Sequence, residues 1–245
     1  MAEIRVRYKK DMLFIFLPYM TTNLDNLLYL PVSLGEAIDK LTILDIKLDK
    51  ITDDRKRDVK IEYDLLYDKL KEFIIKYENL YETMKKVNLL IWDMMDNLRN
   101  ETIDEQQYLK ICKECTDYND VRFRIKNKIN YVSASLLKEH KSYKINRFLI
   151  ILSPLGVREM CSSDNIFVKI VKYFSFMYDE IWIVSDLPQD SLKEYFSYDT
   201  TILFTNYLPS DYKKKCIVEN DSFMEQNQLY NLFDIQIEEI NKLFI

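Results

Sequence analysis

Glycine is scarce in this chain, where Gly35 and Gly156 are the only two among 245 residues. Average usage of about 7% would give roughly 17. A G-x-G-x-x-G dinucleotide loop needs three glycines and a Walker loop needs two around a lysine, so neither can form. Tight β-hairpins also depend on glycine at positive φ, which argues against an all-β fold rich in such turns.

Histidine and cysteine are also rare, with a single His140 and four cysteines. One histidine excludes the metalloprotease motifs that require two. Cys112 and Cys115 have the spacing of half a zinc site, but no second close pair exists and both fall within a predicted helix. We therefore expect reduced thiols, no bound metal and no cofactor.

Charge is distributed unevenly along the chain. Residues 1–145 carry 26 basic and 25 acidic side chains, whereas residues 146–245 carry 9 basic and 15 acidic ones. This shift favours two domains. The overall pI of about 5.2 argues against nucleic acid as a partner, because nucleic-acid-binding domains usually have a basic face and a high pI.

Residues 1–29 contain four basic side chains followed by a short apolar run, residues 12–17. Pro18 interrupts the run, and no small-x-small cleavage site follows as a signal peptide would require. The run is also far shorter than the ~20 residues that span a bilayer. We expect an N-terminal arm or strand here, no membrane span and a cytoplasmic location.

Two apolar patterns predict long helices. Ser33 and Glu36 have the spacing of a capping box, and apolar residues at steps of 3 and 4 then continue to Ile51. Residues 59–98 repeat apolar side chains at alternating steps of 4 and 3, which is typical of a coiled-coil-like helix or a bent helix pair. We expect an antiparallel hairpin joined near residues 52–58, with the second apolar pattern buried. Its members are Val59, Tyr63, Leu66, Leu70, Phe73, Tyr77, Leu80, Met84, Val87, Ile91, Met94 and Leu98.

Further helices are predicted before residue 145. Thr102 and Glu105 form a second capping-box pattern, which predicts a helix running through Cys115. Asn119 and Asp120 are good caps for another helix. That helix would turn Val121, Ile125, Ile129 and Val132 inward, so residues 30–145 are interpreted as a bundle of four or five helices.

Polar residues form stripes beside the apolar patterns. Glu36, Lys40 and Lys47 share one helical face, as do Asn88, Trp92 and Arg99, and Arg122, Lys126 and Asn130. One interpretation is exposed ion pairs, each contributing a few tenths of a kcal/mol. The other is that the stripes converge, either to bind an anionic ligand or to hold a buried polar network. Arginine suits the first role because its planar fork matches phosphate and carboxylate.

Residues 32–48 resemble the opening signature of a bacterial and viral helical family, S-x-G-E-x-x-D-K-x-x-I-L-x-I-K. Later motifs are similar too, including Asn119-Asp120-x-Arg122 and Glu139-x-Lys141-Ser142-Tyr143. Members of this family have no assigned activity, but they occur beside or fused to glycosyltransferases. The resemblance therefore implies a role in glycan assembly without naming a ligand. With the stripes, it marks as candidate ligand-binding residues Glu36, Asp39, Lys40, Arg99, Asn119, Asp120, Arg122 and Lys126.

Residues 146–245 have a different pattern. Apolar runs at 147–153, 180–185 and 201–204 alternate with helical segments, which predicts a small three-stranded parallel, Rossmann-like sheet. The last stretch, 223–245, has helical spacing. Ligands of such sheets bind at the carboxyl ends of the strands, here near residues 153–159 and 185–190.

The loop after the first strand resembles the P-L-G-x-G-D loop of two-lobed glycosyltransferases. Gly156 matches, but Arg158 stands in place of the second glycine and Glu159 in place of the aspartate. Gly156 and Arg158 complete the candidate ligand-binding residues. About forty residues follow the third strand, which is too few for a second lobe, and no Asp-x-Asp motif occurs.

These observations predict an α+β protein in which a helical bundle precedes a small α/β domain. We expect a non-catalytic or accessory factor in glycan assembly, with a site for a sugar phosphate or another anion. Its expected partners are glycosyltransferases or other proteins bound through the bundle. The alternatives are a glycosyltransferase-like enzyme and a structural coiled-coil protein, the latter as a homo-oligomer.

Overall fold

The structure is a computed structural model that describes residues 29–100, 102–142, 144–153, 166–186, 193–196, 199–218 and 226–244. The chain divides into two units, Met1–Pro31 and Val32–Ile245. Only residues 29–31 of the first unit are described, so the predicted arm or strand lies almost wholly outside the described residues. All the contacts reported below belong to the second unit.

The described part of the second unit begins with four helices, as the α+β class predicts. They are α1 (Leu34–Lys50), α2 (Arg55–Lys76), α3 (Glu78–Leu98) and α4 (Glu105–Val132). Helix α1 packs against the other three. No helix among the described residues combines the length and the apolar character needed to cross a membrane.

Helix α1 begins at the predicted residue. The Ser33 hydroxyl accepts a hydrogen bond from the Glu36 backbone N–H at 3.2 Å. A capping box would also bring the Glu36 side chain back to the Ser33 backbone. Instead, the Glu36 carboxylate lies 2.7 Å from Lys126 Nζ of α4, so a tertiary ion pair takes the place of the expected local contact.

The apolar pattern of residues 59–98 is divided between α2 and α3. Tyr77 separates them with φ −129° and ψ 43°, and its N–H still donates to the Phe73 carbonyl at 2.9 Å. The bent helix pair is therefore the correct alternative. All members of the pattern are at least half-buried. Leu70 and Met84 belong to the same core as Ile38 of α1, so the pattern packs within the chain.

Helix α4 is one continuous helix of 28 residues, which corrects two predictions. Its N-cap is Asp104, whose side chain accepts from the Gln107 N–H at 2.9 Å, rather than Thr102. Asn119 does not cap a new helix, because its amide donates to the Cys115 carbonyl one turn earlier at 3.0 Å. The prediction that Val132 faces the core is also wrong, because this residue is 39% exposed.

A parallel sheet follows the helices. Its strands are β1 (Arg147–Leu152), β2 (Glu180–Val184), β3 (Ile202–Thr205) and β4 (Lys214–Val218), in the order β3-β2-β1-β4. Three strands were predicted and β4 was missed, because its lysines mask a short alternation typical of an edge strand. Cys216 and Val218 of β4 are buried, whereas Lys215 is exposed.

Three further helices are α5 (Ile166–Met177), α6 (Gln226–Phe233) and α7 (Ile237–Phe244), and residues 193–195 are also helical. The C-terminal stretch with helical spacing contains two helices, because Asp234 adopts φ 51° between α6 and α7. The Ile235 N–H then donates to the Tyr230 carbonyl at 3.0 Å and closes α6. Asp is among the few residues other than glycine that visit this conformation readily, so it ends a helix in a glycine-poor chain.

One hydrophobic core joins the helices to the sheet. Phe148 of β1 meets Phe174 of α5 edge-on, with ring centroids 4.7 Å apart, and also meets Phe233 of α6. Helix α4 contacts α5, and α3 contacts α7. Polar bonds reinforce this junction, since Arg124 Nε of α4 donates to Asp179 Oδ1 at 2.8 Å just before β2.

Candidate functional site

Asp39 of α1 is the centre of a buried polar cluster between α1, α3 and α4. Arg122 binds it with both arms of its fork, at 2.8 Å from Nε and 2.6 Å from Nη2. The Asn88 amide donates both to Asp39 Oδ1 and to the Thr42 hydroxyl, each at 2.9 Å. Thr42 in turn donates to the Asp39 carbonyl at 2.8 Å, so every polar side chain in the cluster has a partner.

Charge and burial are balanced at this cluster. The Asp39 side chain is 4% exposed and that of Arg122 is 26% exposed. The hydrogen bonds that Arg122 donates to Asp39 raise the pKa of Arg122, against the opposing effect of burial. A bidentate arginine–carboxylate pair uses the donors that would otherwise bind a phosphate. Arg122 is therefore already occupied by a group of this chain.

Lys126, one turn further along α4, lies between two carboxylates. Its ammonium is 2.7 Å from Glu36 Oε1 of α1 and 2.5 Å from Glu139 Oε2, which follows α4. Burial alone would lower the pKa of Lys126, but the hydrogen bonds to Glu139 and Glu36 raise it. Lys126 thus joins α1 to the segment after α4.

Gly35 marks the closest approach of α1 to α4. Its N–H donates to Asn130 Oδ1 at 2.7 Å. A Cβ at this position would lie 2.6 Å from the Lys126 backbone oxygen and 2.9 Å from Asn130 Oδ1. Glycine is required here for space rather than for its backbone conformation. Asn130 is 1% exposed, and its Nδ2 has no hydrogen-bond partner within the described ranges.

Asp120 and Asn119 also serve contacts within the chain. Lys141 Nζ lies 2.6 Å from Asp120 and 4.6 Å from the centroid of the Phe123 ring, which holds the segment after α4 against that helix. The Asn119 side chain is bonded to its own helix, as described above. Neither side chain lines the cleft described below.

The remaining candidates do not join this arrangement. Lys40 pairs with Glu62 at 2.6 Å, and Arg99 pairs with Asp96 at 2.7 Å; all four side chains are well exposed. Gly156 and Arg158 lie outside the described residues. The polar stripes therefore converge only in part. Where they do, the geometry fits a buried polar network, which we call the interhelical network: Glu36, Asp39, Thr42, Asn88, Arg122, Lys126 and Glu139.

A separate cleft of about 770 Å³ opens between α3, α4, α5, α7 and the described residues Phe196, Asp199 and Thr200. Sequence reasoning did not predict it. Its apolar floor includes Phe176, Phe196 and Leu243, each at most 6% exposed. Tyr131, whose side chain is 55% exposed, lines the opening. This volume lies within the range of pockets that bind small molecules.

A buried ion pair lies at the polar side of the cleft. Lys128 Nζ of α4 lies 2.6 Å and 2.9 Å from the two carboxylate oxygens of Asp199, and 2.9 Å from the Thr201 hydroxyl. Ser175 also donates to Asp199, at 3.2 Å. Burial would raise the pKa of Asp199, but the charge and hydrogen bond of Lys128 and the bonds from Thr201 lower it. Burial lowers the pKa of Lys128, against the opposing charge of Asp199.

The rim of the cleft carries charges without ion-pair partners in the described part of the chain. Lys86 and Glu82 belong to α3, as does Glu78, while Lys172 belongs to α5. Lys86 and Lys172 are partly buried, whereas both glutamates are exposed. These four side chains differ from the interhelical network, in which each charge is matched by another residue of the chain.

One signal for the buried pair was present in the sequence. Arg124 and Lys128 are four residues apart on α4 and form a basic stripe beside the predicted one. Their partners, Asp179 and Asp199, lie 55 and 71 residues further along the chain. No local spacing connects them, so only the tertiary fold reveals the pairs.

Metal-ligand groups and similarities to other proteins complete the description of the site. No cluster of three or more histidine, cysteine, aspartate or glutamate side chains suited to a metal occurs among the described residues. Comparison of the chain with protein-family models, with curated proteins and with solved structures returned no match. Function must therefore be argued from the geometry and from the sequence motifs.

Proposed function

We propose that this chain is a non-catalytic accessory protein of sugar-polymer assembly, which binds a ligand or partner proteins. The sequence support is the resemblance of residues 32–48 and the later motifs to a helical family found beside or fused to glycosyltransferases. The observation that carries the proposal is the closed interhelical network. Its Arg122 and Lys126 already bind carboxylates of the same chain, as residues that fix a scaffold do.

An accessory protein must also offer a surface to its partners. Helix α2 exposes Leu65 and Ile75, at 49% and 78% of their surface. Single exposed apolar residues are common on protein surfaces, so their presence does not identify an interface. They are nevertheless the apolar positions of α2 where a substitution would test partner binding without altering the core.

The experiment is co-purification of the tagged chain from the cells that naturally produce it, followed by identification of the captured proteins. We expect glycosyltransferases to be enriched over an untagged control. The double variant Leu65→Glu and Ile75→Glu should reduce their capture, whereas Lys56→Gln on the exposed side of α2 should not. Deleting the gene should shorten or reduce the sugar polymer. No glycosyltransferase enrichment together with an unchanged polymer would overturn the proposal.

A glycosyltransferase-like enzyme is the second candidate, and the strand order favours it. The order β3-β2-β1-β4, with all strands parallel, is that of the first four strands in doubly wound nucleotide-binding folds. Ligands of such folds bind where the order reverses, at the carboxyl ends of β1 and β4. Ser153 and Val218 lie there, joined by an N–H to carbonyl bond of 3.2 Å.

Nucleotide-sugars provide the test of this second candidate. If the chain is an enzyme of this class, a nucleotide-sugar should raise its melting temperature and be consumed with release of the nucleotide. Arg158→Ala should remove both effects, while Lys215→Ala on the exposed side of β4 should leave them unchanged. A panel of nucleotide-sugars that neither binds nor reacts would eliminate this candidate and leave the accessory role in place.

A further inference from the structure

We propose that the cleft between α3, α4, α5 and α7 binds a neutral, polyhydroxylated small molecule of the sugar class. The inference deepens the proposed function and rests on it for the biological source of the sugar. It is carried by the charge pattern of the rim, the apolar floor and the size of the cleft. None of these features belongs to the interhelical network.

The charges that line the cleft cancel. The buried pair of Lys128 and Asp199 is internally neutral, since the ammonium makes three hydrogen bonds to Asp199 and Thr201. On the rim, the two lysines are matched in number by two glutamates. A dianion such as a phosphate would meet both signs and would be repelled by the glutamates. The rim therefore does not favour an anionic ligand.

Hydroxyl groups fit this mixed rim better than a group of either charge. A carboxylate only accepts hydrogen bonds and an ammonium only donates them, whereas a hydroxyl does both. A molecule with several hydroxyls can donate to Glu82 and accept from Lys86, which lie one turn apart on α3. The Asn79 amide, at the same opening, adds both a donor and an acceptor.

The apolar part of the cleft suits the C–H groups of a sugar ring. Ring C–H groups of a sugar are apolar, and burying them against the exposed ring of Tyr131 removes apolar surface from water. Tyrosine is well suited to such a rim because its ring is apolar while its hydroxyl remains in water. The volume of about 770 Å³ leaves room for a short saccharide.

The test measures binding to the full chain by calorimetry and NMR. The probes are the methyl glycosides of glucose, galactose, mannose and N-acetylglucosamine; inorganic phosphate and glucose 1-phosphate form the anionic arm. We expect at least one neutral glycoside to bind with saturation. Lys86→Ala and Glu82→Ala should each weaken that binding about tenfold, the loss expected for one hydrogen bond to a charged group.

Matched control variants test whether a loss of glycoside binding is specific to residues that line the cleft. Tyr131→Ala should weaken binding, whereas Tyr108→Ala, an exposed tyrosine of the same helix that does not line the cleft, should not. Lys113→Ala, which removes an exposed lysine of α4 that does not line the cleft, is the control for Lys86→Ala and should leave glycoside binding unchanged. Unchanged thermal unfolding of each variant will show that lost binding is not lost folding.

Several outcomes would overturn the inference: no binding of any neutral glycoside, binding of the anionic probes alone, or glycoside binding that the rim variants leave unchanged. Failure of the cleft is distinguishable from failure of the proposed function. Capture of glycosyltransferases without sugar binding would overturn only the proposal that the cleft binds a sugar. Sugar binding at the cleft without glycosyltransferase capture or a polymer defect would overturn the proposed accessory function. The sugar site in the cleft would then stand by itself.

Discussion

The interhelical network and the cleft use similar residue types for opposite purposes. In the network, Arg122 and Lys126 each lie within 2.7 Å of a carboxylate from another part of the chain. At the rim of the cleft, Lys86 and Lys172 have no such partner among the described residues. Paired buried charges fix the positions of helices, whereas unpaired charges at an opening remain available to a ligand.

The largest effect is expected from Asp39→Ala, because it leaves the guanidinium of Arg122 and the amide of Asn88 without their shared acceptor. Removing one partner of a buried ion pair typically costs about 3–5 kcal/mol. The free energy of unfolding, measured in urea, should fall by that amount. Asp93→Ala removes an exposed pair with Lys50 and should cost less than about 1 kcal/mol. Equal losses in the two variants would contradict the structural role of the network.

Gly35→Ala should destabilise the chain by about 1–3 kcal/mol, because the new Cβ would meet the Lys126 backbone oxygen at 2.6 Å. Without such a contact, alanine would instead stabilise this first-turn position by roughly 0.4–1 kcal/mol, because it has less backbone freedom than glycine to lose on folding. The sign of the change in melting temperature therefore decides whether α1 and α4 approach as closely as described. A stabilised variant would show that they do not.

Asp199 should make the cleft sensitive to acid. Its pKa in the folded chain lies below the ordinary value of about 3.9, since Lys128 and Thr201 favour the carboxylate against burial. The pair therefore contributes its full stability above about pH 4, and this contribution is lost as the pH falls through the lowered pKa. Unfolding measured between pH 6 and pH 2 should show this loss, and Asp199→Asn should remove the Asp199 part of it. If Asp199→Asn lost the same free energy of unfolding between pH 6 and pH 2 as the unmodified chain, Asp199 would not contribute to the acid sensitivity.

The smallest effect on stability is expected at the rim. Lys86→Ala and Lys172→Ala break no ion pair in the described structure, so the free energy of unfolding should change by no more than about 0.5 kcal/mol. Urea unfolding of both variants beside Asp39→Ala gives the comparison directly. A loss of several kcal/mol at either lysine would mean that the rim, like the network, is structural.

Local sequence patterns predicted much of the helical part. The start of α1 at Ser33 and the burial of the 59–98 pattern both follow from interactions within a few turns. The predicted caps at Asn119 and Asp120 were wrong, because good caps are also tolerated inside a helix when tertiary contacts hold it. Strand β4 was missed because its short edge alternation gives a weak signal beside three lysines.

The candidate site was predicted only in part. The i,i+4 spacing brought Arg122 and Lys126 to one face, and both do meet residues of α1. Lys40 belongs to the same predicted stripe as Glu36 but pairs with Glu62 at the surface. Which member of a stripe turns inward depends on the rotation of the helix against its neighbours, and this is set by packing across the whole interface.

The α+β class, the start of α1 and the exclusion of glycine-rich phosphate loops in a chain with two glycines can be predicted from the sequence. These follow from the periodicity and conformational preferences of neighbouring residues. Packing between distant segments, by contrast, places Gly35 against α4, Asp39 against Arg122, and Lys128 against Asp199 beside a cleft. Those contacts join residues 71 to 95 positions apart, beyond the reach of any local pattern.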